Sequence, residues 1–113
     1  MIGVIVIEAG HGTIGGVEYE ANLGGDSVRG VGNSPPYGYT FAAPFAVPPQ
    51  LGIVTMAGVD GGNGGWAQLH GPTVATDTTL FLSVDEDQVS DSERNHVTEQ
   101  VGYVIFRSPV VVP

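Results

Sequence analysis

The stretch "VEYEANL", residues 17–23, decides the fold class of this chain. Within it, valine, tyrosine, alanine and leucine alternate with two glutamates and an asparagine. A period of two predicts a half-buried antiparallel strand whose apolar side packs on a core and whose polar side meets water.

Working outward, further strand-length apolar runs occupy residues 4–8, 51–57, 66–70, 79–84 and 96–107. Gly, Asn and Asp turns separate these runs, and "AGHGTIGG" (residues 9–16) reads as the first turn. No window of a dozen residues shows an uninterrupted helical repeat. The pattern predicts an all-β fold, a single antiparallel β-sandwich (jelly-roll-like) of about six to eight short strands with no substantial helix.

Residues 33–49, "NSPPYGYTFAAPFAVPP", are rich in proline and aromatic side chains. Proline cannot donate a ladder hydrogen bond, so such a segment is confined to sheet edges and loops. We therefore expect an extended, edge-like or loop segment that is anchored by its aromatic rings.

The length and the net charge of the chain limit the classes of function that it can have. The 113 residues suit one domain, residues 1–113, and contain no cysteine. Twelve carboxylates and three arginines give a net charge of −9, so nucleic acid and anionic membrane surfaces are disfavoured as partners. No apolar run is long enough to cross a bilayer. An acidic, cysteine-free composition suits an extracellular or cell-surface protein of bacterial or viral origin.

Four segments in residues 45–107 follow one another in a distinctive order: "VPPQLGIVTMAG", "VDGGNGGWAQLHG", "VATDTTLFLSVDEDQ" and "HVTEQVGYVIF". In this order they resemble the H-type lectin-like β-sandwich repeat domain of bacterial extracellular and surface proteins. The resemblance implies a lectin-like core over residues 45–107 and a surface location. The first twenty residues resemble the linker that follows the closing strand of such a domain in tandem copies. We expect residues 1–24 to form an N-terminal strand and hairpin that can pair with a neighbouring copy. Those lectins bind sugars with polar residues at subunit clefts, and no residue here matches that site.

The acidic run "DEDQVSDSERNH", residues 85–96, has two interpretations. Asp85, Asp87 and Asp91 could converge on calcium, which takes six to eight oxygen ligands. However, the run lacks the glycine that an EF-hand loop needs for its bend. A solvated hairpin loop is the favoured interpretation, and calcium stays the alternative.

The Gly-rich segment "VDGGNGGW", residues 59–66, is a second candidate. Its glycines allow close backbone approach, so Asp60 and Asn63 could cradle a cation or a hydroxyl-rich ligand. Asp-Gly and Asn-Gly are also common turn formers, and we favour an ordinary hairpin turn.

Aromatic side chains suggest a carbohydrate site. Trp66, the only tryptophan, could stack on a sugar ring with His70 on the same strand face, although a core position is favoured because an indole buries so much area. Tyr37 and Tyr39 share a strand face, and they are the preferred exposed aromatic residues; packing over the sheet edge is the alternative.

Catalytic motifs are missing from the sequence: there is no nucleophile elbow, no His-Glu-x-x-His pair and no phosphate-binding glycine loop. We expect a non-enzymatic extracellular binding or adhesion module, with carbohydrate as candidate ligand, calcium as candidate ion and a homo-oligomeric state. The alternative is a structural subunit of an extracellular fibre or filament. It rests on "GVIVI" near the start, and on "YVIF" and "VVVP" near the end, since apolar ends could complete a neighbour's sheet by strand exchange.

Overall fold

A computed structural model describes residues 1–111. The described part of the chain is an all-β sandwich of seven strands in two antiparallel sheets, as the sequence predicts. One sheet has the order β1-β2-β7-β4 and the other has the order β3-β6-β5. The strands are β1 (Gly10–Ile14), β2 (Val17–Leu23), β3 (Tyr37–Thr40), β4 (Leu51–Met56), β5 (Gly65–Leu69), β6 (Thr79–Glu86) and β7 (Val101–Phe106), and one short 3-10 turn covers Val31–Asn33.

The first hairpin corrects the prediction of a strand at residues 4–8. Strand β1 lies instead in the segment that reads as a turn, because the reversal is made by Gly15 and Gly16 alone. Both have positive φ, 55° and 78°, which glycine adopts without steric cost. The pairing of Ile14 with Val17 fixes the register, and residues 1–8 are not hydrogen-bonded as a strand to either sheet.

The core lies between the two sheets. Val101, Tyr103 and Ile105 of β7 face Leu80 and Leu82 of β6 across it, and all five side chains are buried. The proline-rich segment behaves as predicted: β3 is an edge strand, and the rings of Phe41 and Phe45 are buried 5.0 Å apart.

Strand β2 alternates as predicted, but its faces are inverted. Glu20 is opposite Ile105 of β7, so its carboxylate points into the sandwich and is 0% exposed. Tyr19 and Ala21 point away from the three-stranded sheet, where Ile7 and other apolar side chains cover them. This side of the four-stranded sheet is called the outer face below, and residues 1–6 are called the N-terminal arm.

Four connections cross from one sheet to the other, and two of them contain candidate site residues. Residues 57–64 join β4 to β5, and residues 87–100 join β6 to β7; in each case the two strands belong to different sheets. Neither connection is therefore a hairpin, contrary to the favoured interpretation of both segments. At the end of the chain, residues 112 and 113 of "VVVP" lie outside the described residues.

Candidate functional site

Trp66 lies on the solvent side of β5. Its side chain is 54% exposed, so the favoured core position is wrong. The reason is the strand alternation: Ala67 and Leu69 face the core, and their neighbours at even positions must face outward. The indole is thus free to contact a ligand.

Polar side chains lie on the same outward face as Trp66. His70 Nδ1 lies 2.9 Å from the Ser83 hydroxyl, and Gln68 Nε2 donates to the same hydroxyl at 3.1 Å. Because Gln68 pairs with Ser83 across the ladder, the two strands hold these groups in a fixed row next to the indole. The row offers an amide and an imidazole to a ligand.

Asp85 completes the row, since it is the ladder partner of Trp66. Arg94 donates to Asp85 Oδ1 from Nε at 2.9 Å and from its terminal nitrogen at 2.8 Å. These charge-assisted bonds hold the Asp85 carboxylate in place beside the exposed indole. Trp66 and Asp85 are therefore direct neighbours, and His70 lies on the same face four positions further along the chain.

The other predicted metal ligands do not join Asp85. Asp87 Oδ1 accepts the Val89 backbone N–H at 2.9 Å, and Asp91 is exposed. Among residues 1–111, no group of three or more His, Asp or Glu side chains is arranged to hold a metal ion. Oδ1 of Asp85 is bonded to Arg94.

Tyr37 and Tyr39 share a face of β3, but it is the inner face. Tyr39 is buried, stacks on Tyr103 at 5.9 Å and donates to the Gly25 carbonyl at 2.7 Å. Tyr37 is half-buried and packs against the same core. The expectation that both are exposed is wrong, because the proline-flanked strand turns Gly38 and Thr40 outward instead.

Asp60 and Asn63 stabilise the crossing segment 57–64. The Asp60 and Gly61 N–H groups donate to the Glu99 carboxylate at 2.9 and 3.0 Å. Asn63 Nδ2 donates to Glu86 Oε1 at 2.7 Å. The Asp60 backbone and the Asn63 side chain therefore take part in internal bonds of the protein.

A buried imidazole lies between these two carboxylates. His96 Nε2 is 2.8 Å from Glu99 Oε1, and His96 Nδ1 is 3.7 Å from Glu86 Oε2, an oxygen with no hydrogen-bond partner. Burial raises the pKa of Glu99, but the Gly61 N–H, the His96 ring and the Asp60 N–H outweigh it and leave the pKa below its ordinary value. The hydrogen bonds of this cluster hold the 57–64 connection against the 87–100 connection.

A second buried cluster fastens the proline-rich segment. His11 lies 2.8 Å from Glu18 and 3.2 Å from Glu20, and Glu20 accepts the Ala42 N–H at 2.7 Å and the Tyr103 hydroxyl at 2.5 Å. The Ala46 N–H holds the pKa of Glu18 below its ordinary value. Burial raises the pKa of Tyr103, and the Glu20 carboxylate raises it further.

Sequence reasoning missed both clusters. Glu18, Glu20 and Glu86 read as solvated positions, because charged side chains are rarely buried unless they are paired. The His96-x-x-Glu99 spacing is the one local signal, and it precedes an apolar strand.

No protein-family model, curated protein or solved structure is significantly similar to this chain. In the part of the chain that the structure describes, no helix has the length and apolar character that a membrane crossing requires.

Proposed function

We propose that this protein is a non-enzymatic extracellular or cell-surface module, of bacterial or viral origin, that binds carbohydrate. The ligand contacts Trp66 and the polar row of Gln68, His70, Asp85 and Arg94. The exposure of Trp66 is the observation that carries the proposal. The H-type lectin-like resemblance favours the same class of ligand, by a different set of residues.

An exposed indole offers a ligand a flat apolar surface with a polar N–H group. Sugars have apolar C–H faces that can cover such a ring while their hydroxyl groups bond polar neighbours. Asp85 is the ladder partner of Trp66 and is paired with Arg94, and Gln68 lies two positions along β5 on the same face. Together they supply both kinds of contact.

The charge of the protein limits which sugars fit. A net charge of −9 repels acidic polysaccharides at low ionic strength. We expect neutral polysaccharides to bind and alginate to bind more weakly.

The test uses Trp66 as its own reporter, since the chain has no other tryptophan. Iodide quenching of the fluorescence is measured with and without dextran, xylan and galactomannan. We expect a neutral polysaccharide to protect the indole, Trp66→Tyr to keep weaker binding, and Trp66→Ala to abolish binding on the immobilised polysaccharide. Val59→Ala, which changes an exposed side chain elsewhere, is the control. Equal binding by Trp66→Ala and the control contradicts the proposal.

Calcium binding by Asp85, Asp87 and Asp91 stays a prediction. A ligand that binds the folded state raises the melting temperature. Titration with millimolar calcium, compared with Asp91→Asn, tests this: no shift in the wild-type protein removes the ion site.

A second candidate function is a homo-oligomeric structural subunit of an extracellular fibre or filament. The N-terminal arm favours it: its apolar side chains Met1, Ile2, Val4, Ile5 and Val6 are all more than three-quarters exposed. Exposed apolar segments of this kind mark association sites. Electron microscopy of the full chain and of a variant lacking residues 1–6 is the test. If the shortened chain forms the same assembly, this candidate is wrong.

A further inference from the structure

We infer that the outer face of the four-stranded sheet is the surface on which a second copy of this chain docks its N-terminal arm. The inference rests on the self-assembly candidate and adds the receiving surface.

The first observation is the chemistry of the outer face. On the four described strands of this sheet, no outward side chain is charged, and Thr55 and the Tyr19 hydroxyl are its polar groups. The carboxylates of β2 point the other way, into the sandwich. In a chain of net charge −9, the strands of this face form a surface free of carboxylates, and Glu8, whose carbonyl accepts the Tyr19 hydroxyl, is the acidic residue beside it.

The second observation is an unfilled groove on that face. It has a volume of about 800 Å³, which is enough for several aliphatic side chains. Ile53, Val104 and Phe106 line its sheet side, and Ile5 and Val6 of the chain's own arm stand along it without filling it. Ile53 is 68% exposed, so the floor of the groove remains open.

The third observation concerns the N-terminal arm together with the adjoining Ile7. Residues 1–7, "MIGVIVI", contain no charged side chain and have strong strand-forming character, yet no strand pairs with them in the chain. Ile7 already packs against the same cluster as Phe106, so its apolar chemistry suits this face. The strand preference of this segment is not met within one copy. It is met when a second copy supplies a sheet surface on which the segment can pack.

Matched substitutions test the inference on the full chain. Ile53→Ser on the outer face is paired with Val59→Ser, which lies in the 57–64 crossing and is 74% exposed. Val6→Ser in the arm, 88% exposed, is paired with Val89→Ser, 89% exposed. All four side chains are in solvent in a single copy, so these changes leave the core intact.

Sedimentation velocity gives the concentration at which half of the protein is assembled. We expect Ile53→Ser and Val6→Ser each to raise this concentration about tenfold or more, and the two controls to leave it unchanged. Added NaCl should lower it for the wild-type protein, because salt screens repulsion between copies.

Cross-linking identifies the contact directly, and the absence of native cysteine makes it specific. Val4→Cys chains are mixed with Ile53→Cys chains under mild oxidation, and the control mixture combines Val4→Cys with Val59→Cys. We expect a mixed disulfide dimer from the first pair and little from the second. A double variant carrying both Val4→Cys and Ile53→Cys should form its disulfide mainly between chains.

The outcomes separate the inference from the assembly candidate. A wild-type protein that stays monomeric at all concentrations overturns both. If assembly depends on the arm but Ile53→Ser behaves like Val59→Ser, assembly stands and the receiving face is wrong. A disulfide that closes within single chains shows that the arm covers its own sheet, which also overturns the inference.

Discussion

Gly61 lies against the imidazole of His96 so closely that a Cβ on residue 61 would stand 2.6 Å from Nε2. The backbone of the 57–64 crossing can approach the ring because glycine has no side chain. In that position the Gly61 N–H reaches Glu99 at 3.0 Å. Glycine is therefore needed at position 61 for this close approach. At the neighbouring Gly62, an added Cβ would have no other atom within 4 Å.

Gly61→Ala should destabilise the protein by about 1–3 kcal/mol, because the added methyl group displaces a buried ring or breaks its bonds. Gly62→Ala should change stability by less than about 1 kcal/mol, in the stabilising direction, since it restricts the unfolded chain. Urea denaturation of both variants measures the difference. Equal stabilities would contradict the close packing at residue 61.

Glu99 should make the protein sensitive to acid. Its pKa is lower in the folded state than its ordinary value of 4.5, so the folded state favours the ionised carboxylate. The stability it contributes is present above about pH 4.5 and is lost as pH falls through the lower folded pKa. Glu18 adds a contribution of the same sign.

Glu99→Gln should therefore cost about 2 kcal/mol at neutral pH and flatten the acid limb of the stability profile. Asp91→Asn, an exposed control, should leave the profile as it is. The measurement is the urea midpoint at a series of pH values from neutral to acidic. An unchanged slope in Glu99→Gln would show that other carboxylates control the acid limb.

Tyr103 should control how the stability of the protein falls at alkaline pH. Burial and the Glu20 carboxylate raise its pKa above the ordinary 10.0, so the neutral phenol is favoured in the folded protein. The associated stability is present below about pH 10 and is lost as pH rises above it. In an ultraviolet titration, Tyr39 and Tyr103, whose pKa values are both raised, should ionise only when the protein unfolds.

Tyr103→Phe should cost about 1–3 kcal/mol, because it leaves the buried Glu20 carboxylate without one donor. Tyr19→Phe, which removes a hydroxyl bonded to the Glu8 carbonyl at 3.0 Å, should cost about 1 kcal/mol or less. Thermal denaturation compares the two. A larger loss in Tyr19→Phe would place the more important bond on the outer face.

Trp66→Ala should change stability by about 0.5 kcal/mol or less, as expected for an exposed side chain. Phe41→Ala should cost about 3–5 kcal/mol, because its ring is in the core. Denaturation of the two variants checks the assignment of Trp66 to a ligand-binding surface. A large loss in Trp66→Ala would mean that the indole supports the fold.

The sequence predicted the fold class because strand alternation and turn residues are local signals. Residues 17–23, 51–56, 66–69 and 79–84 are strands in both the prediction and the structure. The anchoring role of the proline-rich segment was also accessible, since proline and aromatic content limit where such a segment can lie.

The wrong predictions concern features that depend on which other residues each residue contacts. Alternation in β2 gives two faces, and it does not say which of them meets the core; this depends on β7 and on the segment that contains Ala42. Residues 4–8 have strand-forming side chains, and strand formation also needs an adjacent strand. The environments of Trp66 and Tyr39 were also predicted wrongly: Trp66 is exposed and Tyr39 is buried. The reason is the same, because the register across the sheet decides which side chains are exposed.

The buried glutamates have a consequence for loop engineering. Glu99 and Glu20 bond backbone N–H groups of segments about forty and twenty-two positions away in the chain. The shape of each of these loops is thus specified by side chains outside the loop. Transplanting residues 57–64 into another scaffold would not transfer their conformation unless Glu99 and His96 were transplanted with them.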